Sequence, residues 1–334
     1  MNITICGGGS LGHVCLGVLS CRDDVSVSVL TRNPKRWSEH IQVTDFMGKV
    51  YNGQICKITD KPEEVIPLSD IVFFCLPGYA IENELMKIKP YLSSKTIVGT
   101  VVSSTGFFFF AHRILGDESK LFGFQRVPFI ARTVEYGKSA NLLGYKTSLN
   151  VALENIAKKE HFREQLERLF MTPTHLLVSF YEAALTNSNP ILHTGRLYSM
   201  WKDWKGEVID HRILFYKEWT VEAGQVLIEM DAEFMRLLET LPVRHGVIPS
   251  LLDYYESYDA KSLCDKIRSI PAFQQIAAPM IQIEGGWIPD FKSRYFTEDF
   301  PYGLAFIKRL CDEKGIEAPM INEVYTWGMS KCTL

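Results

Sequence analysis

The chain has 334 residues, of which 46% are apolar and 22% charged, and its net charge is −3. That length exceeds one ordinary core and suits two domains of roughly 150 residues each. The charge balance offers no basic block for nucleic acid or an anionic membrane, and no run of about 18 apolar residues is present to span a bilayer. Eight cysteines (Cys6, Cys15, Cys21, Cys56, Cys75, Cys264, Cys311 and Cys332) form no C-x-x-C pair, so no metal site is expected. Several lie inside apolar runs, where a free thiol behaves as a small hydrophobe. That usage suits a reducing compartment, and the first residues lack the basic flank and long apolar core of a secretory leader. A cytoplasmic location is therefore the expectation.

In chain order, "NITICGG" reads as a strand and "SLGHVCLGVLSCR" as a helix, with Leu11, Val14, Cys15 and Leu19 near one face. "VSVSVLTR" (Val25–Arg32) alternates and predicts a second strand. A polar bend precedes the buried run Ile71–Leu76, which Pro77-Gly78 closes. "TIVGTVV" and "LFGFQRVPFI" predict further strands. "FFFF" at Phe107–Phe110 is the most apolar patch and is far too short to cross a membrane. Strands alternating with helices, with near-continuous apolar strands, imply a parallel sheet covered on both faces. From about residue 180 the segments "SFYEAALTNSNPILHTGRLYSMW", "FYKEWTVEAGQVLIEMDAEFMRLLET", "SLLDYYESYDAKSLCDKIRSI" and "PYGLAFIKRLCDEKG" predict long helices, and this half reads as all-helical. The expected division is 1–179 for a Rossmann-type dinucleotide-binding domain and 180–334 for a helical catalytic domain.

Gly7, Gly9 and Gly12 form G-x-G-x-x-G between a strand and a helix. The first permits a tight turn, the second admits a diphosphate to bare backbone, and the third lets helix and strand pack closely. The diphosphate would rest on the N–H groups opening the helix, including those at Ser10 and Leu11. The second strand ends in Thr31-Arg32-Asn33 without a carboxylate to bond ribose hydroxyls. A guanidinium there suits a 2′-phosphate, which favours NADP over NAD. Leu76 and Pro77, ending another strand, should border the same edge on the nicotinamide side.

A nicotinamide needs a neighbouring hydride acceptor and a group to manage the proton. In "TNSNPILHTGRLY", Asn189 and His193 are four apart and share a helix face, with Asn189 placed to cap the helix ahead of Pro190. In "SRYFTEDFPYGLAFIKRL", Asp299 stands before Pro301 as a predicted N-cap that can also orient a histidine, and Arg294 can grip a carboxylate through paired hydrogen bonds. "FYKEWT" offers Tyr216, Lys217 and Glu218 either as side chains facing the cleft or as an ordinary helix segment, the second being favoured, and Arg126 is a secondary anion-binding candidate.

Three motifs in order, G-G-G-x-x-G, N-P-x-x-H at Asn189–His193, and R-Y-x-x-E-D-x-P-x-G-L at Arg294–Leu304, resemble the octopine/nopaline (opine) dehydrogenase family. The resemblance implies a Rossmann-type domain followed by a helical domain like the C-terminal type of 6-phosphogluconate dehydrogenase. It also implies reduction, in the cleft between them, of an imine formed from an amino acid and a 2-oxo acid. By that resemblance His193 is the acid/base, Asp299 its partner, Arg294 the holder of the oxo-acid carboxylate, and Asn189 a substrate contact. Two other readings stay open: a ketopantoate reductase-like enzyme using a lysine and a glutamate such as Lys217 and Glu222, and a non-catalytic NADP-binding sensor. An apolar helix face left exposed would serve either a homodimer or the interface between the two domains.

Overall fold

Residues 2–12 set the first crossover. β1 (Asn2–Cys6) is buried from Ile3 onward, Gly7 turns the chain at φ 119°, and α1 (Ser10–Ser20) begins three residues later. A side chain at Gly7 would stand 2.5 Å from the Cys75 carbonyl oxygen, and one at Gly12 would overlap the Gly7 carbonyl. Glycine at both positions is therefore what lets helix, strand and loop meet. The computed structural model describes residues 1–332. It divides into a compact unit Met1–Ala184 and a second that begins at Leu185.

The first unit continues through β2 (Ser26–Leu30), β3 (His40–Asp45), β4 (Val50–Gln54), β5 (Lys57–Thr59), β6 (Ile71–Phe74), α2 (Gly78–Ile88), β7 (Ile97–Thr100) and α3 (Phe107–Leu115). It closes with β8 (Leu121–Phe124), β9 (Phe129–Glu135), β10 (Ser139–Tyr145), β11 (Leu149–Glu154), α4 (Lys159–Phe170), β12 (Thr174–Leu176) and α5 (Phe180–Ala184). An eight-stranded sheet has the order β12-β11-β8-β7-β6-β1-β2-β5. It is parallel except where β11 runs antiparallel to β8. β1 lies between β2 and β6, so chain order reverses there and opens a crevice at the carboxyl ends of the strands.

A second sheet, β4-β3-β10-β9, packs over α1. Nothing in the sequence pattern predicted it. Its strands come from two separated stretches of chain, and β3 and β4 carry polar residues on their outer positions. The predicted single strand over Leu121–Ile130 is in fact two, β8 in one sheet and the start of β9 in the other. The tetra-phenylalanine run is α3, with all four rings buried.

Phe180 stacks on Phe108 with ring centroids 5.0 Å apart, so α5 packs with the first unit. The compact units divide at Ala184/Leu185, close to the expected 179/180.

The second unit contains α6 (Asn189–Trp201), α7 (Val221–Glu239), α8 (Leu251–Tyr254) and α9 (Ala260–Ser269), then a hairpin of β13 (Met280–Ile283) and β14 (Gly286–Pro289). α10 (Arg294–Thr297), a single wider π-turn at Phe300–Leu304, α11 (Ala305–Lys314) and α12 (Pro319–Cys332) complete it. Helices dominate, as expected, with one short hairpin among them, and the first and third of the four predicted long helices are each broken in two. α6 is buried on nearly every face, packed by α7, α12 and the π-turn. Among the described residues no helix is long and apolar enough to cross a membrane, and no group of three or more His, Cys, Asp or Glu side chains is placed to hold a metal ion.

Candidate active site

The crevice at the carboxyl ends of β1, β2 and β6 holds a cavity of about 480 Å³. Gly7, Gly9, Thr31, Arg32, Leu76 and Pro77 line it. So do Tyr79, Asn83, Glu84 and Lys87 from α2, and Tyr136 from the β9–β10 turn. Gly9 caps α1 without a side-chain hydrogen bond, and no acidic residue lies in the first turn. A Cβ on Gly9 would meet nothing within 4 Å, so the helix start faces open space. Bare backbone at a positive helix end fits an anionic diphosphate.

Ser10, Leu11 and Gly12 do not border the cavity. The Ser10 hydroxyl instead accepts from the Thr133 N–H at 3.0 Å and lies 3.1 Å from Thr133 Oγ1, tying β9 to the loop. Behind the loop, buried His13 donates from Nδ1 to the Gly9 carbonyl at 2.9 Å, and its Nε2 accepts from the Gly137 N–H at 2.7 Å. Burial pushes the His13 imidazole down, which keeps this neutral tautomer. Trp37 stacks on His13 at 4.4 Å, and the Arg36 guanidinium lies 4.5 Å from the Tyr136 ring centre. These aromatic residues were invisible to motif reading because they converge only through the second sheet.

At the end of β2, Thr31 is buried and Arg32 exposed, with no ion pair to Arg32 among the described residues. Glu84 and Lys87 enter the same cavity from α2, and burial pushes the Glu84 carboxyl up. Arg126 is exposed in the β8–β9 connection and does not line the cavity.

In the second unit, His193 lies one turn into α6 and is 9% exposed. Its Nδ1 is 2.8 Å from Asp299 Oδ2, although 106 residues separate the two. The local sequence explains the meeting. A Cβ on Gly303 would come within 2.7 Å of Pro190 Cγ, so glycine there lets the start of α6 settle on the π-turn. Asp299 precedes that turn, and the Leu304 N–H reaches its carbonyl at 2.7 Å. π-turns recur where a side chain must be re-aimed.

Two cap expectations fail. Asp299 has helical φ and ψ and makes no cap hydrogen bond, because its carboxylate is turned to the histidine. Asn189 is the first helical residue, and Ser188 occupies the cap position instead. The Asn189 side chain makes no hydrogen bond within the described residues. Arg294 opens the short α10, is exposed, and forms no side-chain ion pair among the described residues. Tyr295, its neighbour, lies against the His193 ring at 4.8 Å.

Tyr216, for which an ordinary helix setting was the favoured expectation, lies instead beside the histidine. Residues 215–218 form a turn rather than a helix, and Tyr216 Oη lies 2.9 Å from His193 Nε2. Lys217 and Glu222, the pair of the reductase reading, are both exposed.

A family model described as NAD/NADP octopine/nopaline dehydrogenase, alpha-helical domain, matches residues 177–332. The opine dehydrogenase of Haliotis discus hannai is 27% identical over 360 residues, covering 98% of this chain and 89% of its own. The tauropine dehydrogenase of Arabella iricolor is 26% identical over 97% of this chain and 90% of its own. A solved octopine dehydrogenase with NADH and L-arginine superposes with a TM-score of 0.87 at 25% identity, over 99% of this chain and 89% of that one.

Proposed function

We propose that the chain, whose residues 177–332 match the octopine/nopaline dehydrogenase helical domain, is a member of that family and an NAD(P)H-dependent oxidoreductase reducing the imine of an amino acid and a 2-oxo acid. The observation that carries this reading is the His193–Asp299 pair at 2.8 Å, in a chain whose first unit ends β1 in a bare-backbone anion cradle. The dinucleotide, when bound, supplies hydride to the imine carbon.

The other work falls to side chains. Gly7 and Gly9, the bare backbone that lines the cavity at the open start of α1, receive the diphosphate. Asp299 accepts a hydrogen bond from the Nδ1–H of His193, which keeps that proton on Nδ1 and leaves Nε2 to take or give the proton that carbinolamine formation and dehydration require. Arg294, solvent-facing and without a carboxylate partner among the described residues, binds the oxo-acid carboxylate through two parallel hydrogen bonds. Asn189, one turn before His193 with its amide uncommitted there, contacts the same substrate.

NADP is the favoured carrier. Arg32 and Lys87 contribute two cations to the cavity against the single carboxyl of Glu84, and no acid follows β2. A cytoplasmic location and small-molecule partners follow from the same reading.

The test is a screen of NADPH and NADH oxidation that pairs several 2-oxo acids with a panel of amino acids. Amine-dependent oxidation is the expected result. Oxidation indifferent to the amine would replace this reading with a 2-hydroxy-acid-forming reductase, and tight dinucleotide binding without turnover would replace it with a sensor.

A further inference from the structure

Three side chains form a hydrogen-bonded line within the helical unit. Asp299 Oδ2 is 2.8 Å from His193 Nδ1, and His193 Nε2 is 2.9 Å from Tyr216 Oη. The carboxylate holds the proton on Nδ1, so in the neutral ring Nε2 accepts from the phenol. Both nitrogens are then committed. Phe215 and Tyr295 cover the imidazole with ring centroids 5.7 and 4.8 Å away. A proton leaving Nε2 therefore meets the Tyr216 oxygen first.

The phenol is held firmly. Its ring stacks on Phe273 at 4.3 Å and 22° and lies parallel to Trp219 at 6.0 Å and 12°. The turn that carries it is fastened to α6 by buried Arg196, which donates from Nε to the Phe215 carbonyl at 3.2 Å and from Nη2 to the Glu218 carbonyl at 2.7 Å. Arg196 stands three residues after His193, so one helix presents the imidazole and also clamps the turn that meets it. Burial lowers Arg196 only to about 10, which leaves it charged at neutral pH. Burial also pushes the Tyr216 phenol well up, so it keeps its O–H.

We propose that Tyr216 Oη is the atom exchanging protons with the substrate, with His193 and Asp299 as the reservoir behind it. The proposal rests on the imine-reducing reading above. The amino acid enters as an ammonium ion. Its proton passes to the Tyr216 oxygen while the phenol proton passes to Nε2, leaving a free amine and an imidazolium. The amine adds to the carbonyl carbon, and the nitrogen-to-oxygen proton shift gives the carbinolamine. Dehydration then runs the line outward. The Tyr216 O–H proton goes to the leaving hydroxyl, the Nε2 proton refills the phenol, and the C–O pair departs with water as the nitrogen lone pair forms C=N. His193 ends neutral and Tyr216 ends unchanged. The iminium is the hydride acceptor.

Tyr216→Phe keeps the stacked ring and removes only the oxygen. Amine-dependent kcat should fall about 10²–10⁴-fold, as for His193→Ala. The double variant should lose little beyond the worse single one, because the residues act as one unit. NADPH affinity by fluorescence titration should not change. The ¹⁵N resonance of His193 Nε2 should move in Tyr216→Phe, a readout independent of turnover. A Tyr216→Phe enzyme within about threefold of wild type, or losses that multiply in the double variant, would overturn the proton line. Wild-type protein lacking amine-dependent turnover would sink the reading beneath it instead, so the two failures are distinct.

Discussion

Gly9→Ala separates the cofactor cradle from the fold. Gly9 has φ −80° and ψ −175°, which any residue adopts, and its absent Cβ would touch nothing within 4 Å. Alanine should gain about 0.4–1 kcal/mol by restricting the unfolded chain and lose a similar amount as a poorer helix cap. The net change is within about 1 kcal/mol, or about 4 °C in melting temperature. A methyl group in the diphosphate path should cost at least one charge-assisted N–H contact, about 1.5–3 kcal/mol. Dinucleotide affinity should therefore fall about 10- to 150-fold. Gly12→Ala is the contrast, because its Cβ overlaps the Gly7 carbonyl. That variant should lose about 1–3 kcal/mol of stability as well as binding. Fluorescence titration with NADPH and NADH, alongside thermal melts, reads both. A Gly9→Ala protein that melts normally and binds within about twofold of wild type would refute the placement of the diphosphate.

The other expectations are as direct. His193→Ala should cut turnover about 10²–10⁴-fold with dinucleotide affinity intact, checked by steady-state kinetics and titration. Arg294→Ala should raise KM for the 2-oxo acid about 10- to 100-fold through loss of a paired guanidinium–carboxylate contact, and an unchanged KM would remove the clamp. Arg32→Ala should weaken NADPH about tenfold more than NADH, and equal weakening would remove its role in reading a 2′-phosphate. Asp231 is buried on α7, where it accepts the Leu251 N–H at 2.8 Å, and burial, with Asp253 nearby, pushes its carboxyl up to about 6. The native state then holds this proton more tightly than the unfolded chain, so its contribution falls as pH rises from about 4 to 6. Asp231→Asn keeps an acceptor and should stabilise by about 1–3 kcal/mol at pH 8 and by nothing at pH 4, measured as melting temperature against pH. A gain independent of pH would exclude the titration.

The nucleotide half was legible where neighbours in the chain are neighbours in space. The run Ile3–Cys6, the glycines, α1, and β6 closing on Pro77 all signal locally, and they lie where the pattern placed them. The second sheet was not legible, because β3 and β10 pair across nearly a hundred residues and neither carries a strong apolar run. His193 and Asp299 were singled out from spacing and side-chain chemistry and given their roles by the family resemblance, while the cap assigned to Asp299 failed because the π-turn redirects its side chain. Tyr216 had no periodic signature at all. Its position depends on two backbone carbonyls gripped by Arg196, a relation no spacing rule encodes.

The bonds from Ser10 to Thr133 and from His13 to Gly137 bear on how this protein is made. The glycine bend is synthesised first, yet its supporting wall arrives more than a hundred residues later. A fragment ending after α3 would carry every glycine of the fingerprint and still lack that wall. A piece that keeps both bonds behind the bend must therefore reach at least Gly137, in the turn between β9 and β10.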